Sequence, residues 1–390
     1  MMSTTRWAGT GHSTTSSSEL AGAEATTAAI AGRENAKLLI VFASERHDLQ
    51  TLVSTITATS GGVPMIGCST AGEIATTGPG DASVVVFALG GDGFAVTTAD
   101  CRGIGTRLRQ SGAELAAAME RADRRSHQTL VLLTDALAGD QQEIVRGIYS
   151  VFGASIPLVG GCAGDDLNMT ATYQFHNDEV LTDALVSAFV ASDAPMGIGV
   201  RHGWQPVGTP MLVTASEGNV VLQLDGRPAL DVYLERLEAT GDTGHDPATF
   251  TRFAINHPLG LARRSGEAHV RFIGEADFTR RALVCIAAVT EGSSVWVMRG
   301  DEESVAAATT EACQDALNGL EGQPAIGALA FDCIARRSVL GEHGIIDEVA
   351  QLAKHLDGAP VAGFYTYGEI ARTQGVSGFH NETLVVLALA

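Results

Sequence analysis

What the sequence lacks narrows its function first. Its six cysteines (Cys68, Cys101, Cys162, Cys285, Cys313 and Cys333) never occur as Cys-x-x-Cys. Neither a zinc ribbon nor a disulfide framework is therefore written in the chain, and a reducing cytoplasm is the expected compartment. Cations are scarce: 25 Lys and Arg stand against 45 Asp and Glu, a formal net charge of −20. That balance argues against binding nucleic acid or anionic lipid, both of which need clustered Lys and Arg. No apolar run approaches the ~20 residues that cross a bilayer, so no membrane insertion is expected. The 11 histidines form no His-x-x-x-His or His-Glu-x-x-His set. Neither a Walker loop nor a complete Gly-x-Gly-x-x-Gly occurs, so local metal and nucleotide sites have no support.

What the chain does contain is one phrase written three times. Pro64-Met65-Ile66-Gly67-Cys68-Ser69-Thr70-Ala71-Gly72-Glu73-Ile74 returns as Pro360-Val361-Ala362-Gly363-Phe364-Tyr365-Thr366-Tyr367-Gly368-Glu369-Ile370, and in a variant with Asp as Pro157-Leu158-Val159-Gly160-Gly161-Cys162-Ala163-Gly164-Asp165-Asp166. Each follows an apolar strand and an amphipathic helix and precedes another apolar strand, a self-similarity that has to be read before any single motif. Phe175-His176-Asn177-Asp178-Glu179 is echoed by Phe379-His380-Asn381-Glu382. The fold class expected is α/β (mixed α+β), two domains of mixed sheets flanked by helices, built from repeated strand-helix-strand-loop-strand units.

Along the chain, residues 1–36 read as a disordered lead-in: they are rich in Ser, Thr, Ala and Gly and lack the basic and apolar regions of a signal peptide. Leu38–Phe42 is a buried strand, and Asp48 caps a helix with Leu49, Leu52, Val53 and Ile56 on one face, ending at Gly61-Gly62. Residues 81–89 and 94–98 read as a hairpin across Gly90-Gly91-Asp92-Gly93. Helices follow over 106–125 and 141–152, and from Pro228, over 302–317, and through Ile346, Val349, Leu352 and Leu356. The division expected is 37–226 and 227–390.

The repeated glycines let backbone approach a ligand and leave N–H groups free to point into a hollow. The expected ligand-lining residues are Gly67, Cys68, Ser69, Thr70, Gly72 and Glu73 from the first phrase, Gly161, Cys162, Gly164 and Asp165 from the second, and Tyr365, Tyr367, Gly368 and Glu369 from the third. Glu73 and Glu369 stand at matching places, either as paired acids facing one cleft or as acceptors for their own loops. Tyr365 and Tyr367 project to one side in an extended loop, as an aromatic wall or as core. Gly160-x-Cys162-x-Gly164 imitates a nucleophile elbow, but strand-like residues follow where the elbow needs a helix; a hydrolase using Cys68 or Cys162 is the rival class. A single histidine suffices for haem, and His202 and His257 are the candidates if haem is bound.

Taken together, Gly67–Ile74, Gly160–Asp165, His202-Gly203-Trp204-x-Pro206-x-Gly208, Leu224-Asp225-Gly226-x-Pro228-Ala229-Leu230-x-Val232-Tyr233 and Gly363–Ile370 resemble the FIST proteins, built from a FIST N and a FIST C domain. The resemblance implies a non-catalytic, cytoplasmic, bacterial ligand-sensing module for small, amino-acid-like molecules in signal transduction. Fused family members carry output domains, whereas this chain ends at Ala390 just after its last strand, so a separate histidine kinase or other signalling protein is the expected partner. A stand-alone branch of the family binds haem and reports nitric oxide to a kinase, which is the alternative the resemblance offers.

Overall fold

In the computed structural model, residues 5–239, 241–262, 268–373 and 378–390 are described. The chain builds three modules of one design. The first comprises β1 (Trp7–Ser13), helix α1 (Ser18–Ile30), β2 (Ala36–Ala43), α2 (Leu49–Ser60), β3 (Met65–Ser69), β4 (Glu73–Ala75), β5 (Gly78–Gly80) and β6 (Val84–Gly90). The second comprises β7 (Phe94–Arg102), α3 (Leu108–Ala118), β8 (His127–Thr134), α4 (Gln141–Phe152), β9 (Leu158–Cys162), β10 (Gln174–His176), β11 (Glu179–Leu181) and β12 (Ala184–Ser192).

The third begins with β13 (Met196–Arg201) and is then interrupted. The interruption holds β14 (Gln205–Glu217), β15 (Val220–Leu224), β16 (Arg227–Pro228), α5 (Ala229–Arg236), α6 (Pro247–Ala254), β17 (Leu259–Leu261), β18 (His269–Arg271), β19 (Ile273–Asp277), β20 (Ala282–Cys285) and β21 (Ser294–Arg299). The third module resumes with α7 (Glu302–Asn318), β22 (Gly327–Cys333), α8 (Ile334–His355), β23 (Val361–Thr366), β24 (Glu369–Arg372), β25 (Phe379–His380) and β26 (Leu384–Leu389).

Within the modules the strand orders are β1-β6-β2-β3, β7-β12-β8-β9 and β13-β26-β22-β23, with only the last pair of each parallel. Each sheet is then extended by a strand from another module. β10 of the second pairs with β3 of the first, β24 of the third with β9 of the second, and β4 of the first with β23 of the third, all antiparallel. The exchange closes after three steps, so no module completes its sheet alone.

The inner faces of the three sheets share one core, where Phe42 stacks on Phe364 at 4.9 Å and both meet Phe331 edge-on. The helices cover the outer faces in pairs, α1 with α2, α3 with α4 and α7 with α8. The interruption forms an eight-stranded antiparallel sheet with its own core, to which α5 and α6 contribute Leu230, Tyr233 and Phe250. Thus the mixed α/β class and the repeated units stand as read from the sequence. The sequence division at 226/227 falls between β15 and β16, inside the inserted sheet, because the third module is split in the chain.

Two readings are corrected. Of the disordered lead-in expected over 1–36, residues 1–4 lie outside the described residues, and the rest is built into the fold: β1 pairs with β6 along its length, and α1 is capped by the Ser17 hydroxyl and buries Ala21, Gly22, Ala25, Thr26 and Ala29. This helix packs with small side chains and so carries little apolar signal. It rides so close on β1 that a Cβ at Gly11 would lie 1.9 Å from the Ala25 carbonyl oxygen. Nor do β6 and β7 form a hairpin: β6 lies between β1 and β2, while β7 opens the next module beside β12. By contrast α2 starts at Asp48, whose carboxylate accepts the Thr51 N–H at 3.1 Å, and stops at Gly61 with φ 71°, as its sequence predicts.

Candidate functional site

The three phrases lie at the carboxyl ends of the parallel pairs, and the strand exchange brings them together. They are stitched to one another by backbone. Gly164 N–H donates to Ser69 O at 2.9 Å, and the Ser69 hydroxyl donates back to Gly164 O at 2.7 Å. Tyr365 N–H donates to Gly72 O at 2.8 Å, and Ala71 N–H to Tyr365 O at 3.2 Å. Cys162 N–H donates to Gly368 O at 2.8 Å, and Tyr367 N–H to Cys162 O at 3.2 Å. The N–H groups that were to face a ligand therefore face the neighbouring phrase.

Every one of the predicted lining residues is buried except Tyr367, which is half-buried. Convergence was legible in the sequence, and the backbone bonds between the phrases carry it. A Cβ at Gly164 would lie 2.7 Å from the Ala71 nitrogen. Here glycine serves backbone against backbone.

The acids hold this hub from inside. Glu73 accepts the Ser83 N–H at 3.0 Å, the Ser83 hydroxyl at 2.6 Å and the Thr70 hydroxyl. Glu369 repeats the pattern, accepting the Thr383 N–H at 3.1 Å, the Thr383 hydroxyl at 2.8 Å and the Thr366 hydroxyl. Each carboxylate thus ties its phrase to the residue that opens the last strand of its module. Burial without a cation lifts both to about 7, against the pull of those donors.

In the second module this role passes to Asp135 at the end of β8, which accepts the Asp183 N–H at 3.1 Å and the Thr172 hydroxyl at 2.8 Å. Asp165 does something else. It accepts N–H groups from Met169, Thr170 and Ala171 at 2.9, 2.6 and 3.1 Å and the Tyr367 hydroxyl at 2.6 Å. Burial pushes it upward, but the Tyr367 hydroxyl and these amides outweigh it and hold the carboxyl below its ordinary value.

Cys68 and Cys162 are fully buried, and burial pushes Cys162 up to about 12 and Cys68 well above its usual range. No histidine hydrogen-bonds either thiol among the described residues, and the Thr134 hydroxyl donates to the Cys162 sulfur at 3.3 Å. A thiolate nucleophile needs the opposite environment. The two histidines expected for haem make local contacts. The His202 Nδ1 accepts the Trp204 N–H at 2.9 Å, and burial lowers its pKa to about 4. His257 is stacked on Phe253 at 4.3 Å and its Nδ1 is bonded to the Phe253 carbonyl. In both rings the Nδ1 atom is thus engaged within the protein.

Space lies elsewhere. A cleft of about 550 Å³ opens between the second module and the inserted sheet. One wall is the loop from β8 to α4, with Ala136, Leu137, Gly139 and Asp140; the other is the β14–β15 turn at Gly218 and Asn219, Gly274 and Glu275 of β19, and residues 284–288. Leu137 and Ile286, each 39 % exposed, present large apolar side chains in its lining. Ala287 of the same wall packs into the core beneath α3 and α4, so the two bodies touch at the edge of the cleft. The sequence reading passed over this place. The available signal was Asp135-Ala-Leu-Ala-Gly-Asp140, a small-residue loop leaving the carboxyl end of a strand and entering a helix, where open α/β sheets bind ligands.

Comparison with known proteins follows this geometry. Residues 37–227 match the FIST N domain, and residues 229–372 match the FIST C domain. The chain is 31 % identical over 157 residues to an uncharacterized protein of Methanocaldococcus jannaschii, covering 38 % of this chain and 30 % of that one. It is 26 % identical over 274 residues to an uncharacterized protein of Mycobacterium tuberculosis, covering 67 % and 68 %. An uncharacterized protein of Mycobacterium bovis is 27 % identical over 237 residues, 58 % of each chain. The match thus spans less than a third of the archaeal relative and about two thirds of the first mycobacterial one. No helix among the described residues is long and apolar enough to cross a membrane. The chain belongs to the FIST family, whose domains are generally sensory domains of signal transduction.

Proposed function

We propose that the protein is a non-catalytic sensor that takes a small, amino-acid-sized molecule into the cleft between its second module and its inserted sheet. The observation that carries this reading is the cleft itself. Its volume of about 550 Å³ is that of a small-molecule site, and it sits at the seam between two bodies with separate cores. A ligand held by both walls favours one placement of the inserted sheet over others, and a separate signalling protein such as a histidine kinase reads the difference. The sealed hub gives the three modules a rigid frame against which the sheet moves. Six free cysteines and the acidic surface suit a cytoplasmic protein.

The test is a thermal-shift screen over amino acids and amines, followed by titration of any hit. Ile286→Trp and Leu137→Trp, which fill the cleft from exposed positions, are expected to abolish binding, and Glu73→Gln in the hub is expected to leave it unchanged. Undiminished affinity in both tryptophan variants refutes the cleft as the site.

A further inference from the structure

The lining of the cleft also specifies the charge of its guest, given the reading of the cleft as the ligand site. We infer that it takes a primary organic cation with an apolar body, in preference to a zwitterionic amino acid. The walls supply the apolar part: Leu137, Val284, Ile286, Ala287 and Ala288. The polar side chains of the lining are Asp140, Glu275 and Asn219, and no Lys or Arg is among them.

Glu275 is exposed, and its side chain bonds no other described residue. Asn219 spends one of its two amide N–H donors on the Cys285 carbonyl at 2.6 Å, which leaves its oxygen as an acceptor beside the second N–H. The side chains thus offer two carboxylates and an amide oxygen against one remaining N–H, which suits the three N–H donors of a primary ammonium. No aromatic ring lines the cleft, so the cage that selects quaternary ammonium ions is missing.

Two features speak for an anion, and neither puts a cation in the lining. The amino end of α4 borders the cleft and would attract negative charge. That end is met by the Asp140 carboxylate, which accepts the Gln142 N–H at 2.9 Å, and by Glu143 in the first turn. Arg271 is close enough to Asp140 to feel its charge, but it is buried, and its NH1 group points to the carbonyls of Val270 and Phe379 at 3.1 and 3.4 Å. A ligand carboxylate entering the cleft would find two like charges and no cation in the lining. The carboxylate of an amino acid is therefore a liability here, and the corresponding amine lacks it.

The experiment uses three probes with one ring and different head groups, namely phenethylamine, phenylalanine and 3-phenylpropanoate, titrated calorimetrically into the full chain at low ionic strength. The amine is expected to bind at least tenfold more tightly than phenylalanine, and the propanoate not to bind. Asp140→Asn combined with Glu275→Gln keeps the helix cap, since Asn caps as well as Asp, and is expected to weaken the amine at least tenfold without changing the unfolding midpoint. If phenylalanine or the propanoate binds as well as the amine, or the double variant binds the amine undiminished, the charge inference is overturned. The cleft reading then still stands, provided Ile286→Trp abolishes whichever probe binds. If none of the three probes binds, the inference is overturned as well.

Discussion

Replacing Glu369 by Gln should make the protein more stable at pH 8 than the wild type, although it removes a buried hydrogen-bonding acid. Glu369 is enclosed with hydroxyl and amide donors and no cation, and burial lifts it from 4.5 to about 7. The folded protein therefore holds this proton more tightly than the unfolded chain does. The stability that the proton contributes is fully present below the unfolded value of about 4.5 and is lost as pH rises through the folded value near 7. Between pH 5.5 and pH 8 the loss integrates to about 2 kcal/mol.

Glutamine copies the protonated acid. Its oxygen accepts from the Thr383 amide and hydroxyl, and its NH₂ donates to the Thr366 hydroxyl where the acid's proton would sit. The variant has no proton to lose. Denaturant unfolding of both proteins at the two pH values isolates this effect, because every other titrating group is common to them. The free-energy gap should move by about 2 kcal/mol in favour of the variant on going from pH 5.5 to pH 8. Glu73→Gln should repeat the result, since Glu73 is lifted to the same level by the same cause. A gap that does not change with pH refutes the reasoning that these acids lie sealed in the hub.

Other outcomes follow from the packing. Arg336, fully buried, donates to Asp332, Glu348, Thr309 and two carbonyls; Arg336→Met strands two carboxylates and should cost about 3–5 kcal/mol in denaturant unfolding, whereas the exposed ion pair Arg227–Glu235 should matter by less than about 1. Gly199→Ala would set a Cβ 1.8 Å from the Ala312 carbonyl oxygen, with backbone on both sides. It should lower stability by about 3 kcal/mol, read as a fall in the unfolding midpoint. Removing residues 5–31 takes away β1 and α1 and uncovers the face of β6 and α2 they protect. The truncated chain should unfold at a clearly lower temperature and bind a hydrophobic dye; a chain as stable as the full one would restore the disordered reading of that segment.

What could be read from the sequence depended on how the residues signal. The Asp48-to-Gly61 helix was legible because a capping acid, a 3.6-residue apolar face and a left-handed glycine all point the same way. α1 was not, because its contact with β1 is made by Ala and Gly, which carry close packing without hydrophobicity. Ile346 shows the converse. The sequence reading grouped it with Val349, Leu352 and Leu356, but the face those three share takes Ile345, which is buried, and leaves Ile346 54 % exposed.

The three phrases announced their own repetition and convergence. They could not announce that Gly164 packs on Ala71, since spacing does not distinguish a backbone that approaches a ligand from one that approaches another backbone. The matching Glu73 and Glu369 were legible as equivalents, and of the two roles open to them the structure shows the local one. Their counterpart in the second module was hidden because Asp135 comes from a different strand end. The cleft was hidden because its walls are short stretches at 136–140, 218–219, 274–275 and 284–288, joined by no motif and far apart in the chain.

The most direct measurement is hydrogen exchange with and without a bound amine or amino acid found by the screen. The account predicts protection over residues 136–140, 218–219, 274–275 and 284–288, which wall the cleft, with exchange in 67–73, 161–165 and 365–369 slow and unchanged. Protection that instead appears in those three phrases, with the cleft walls unaffected, would contradict it.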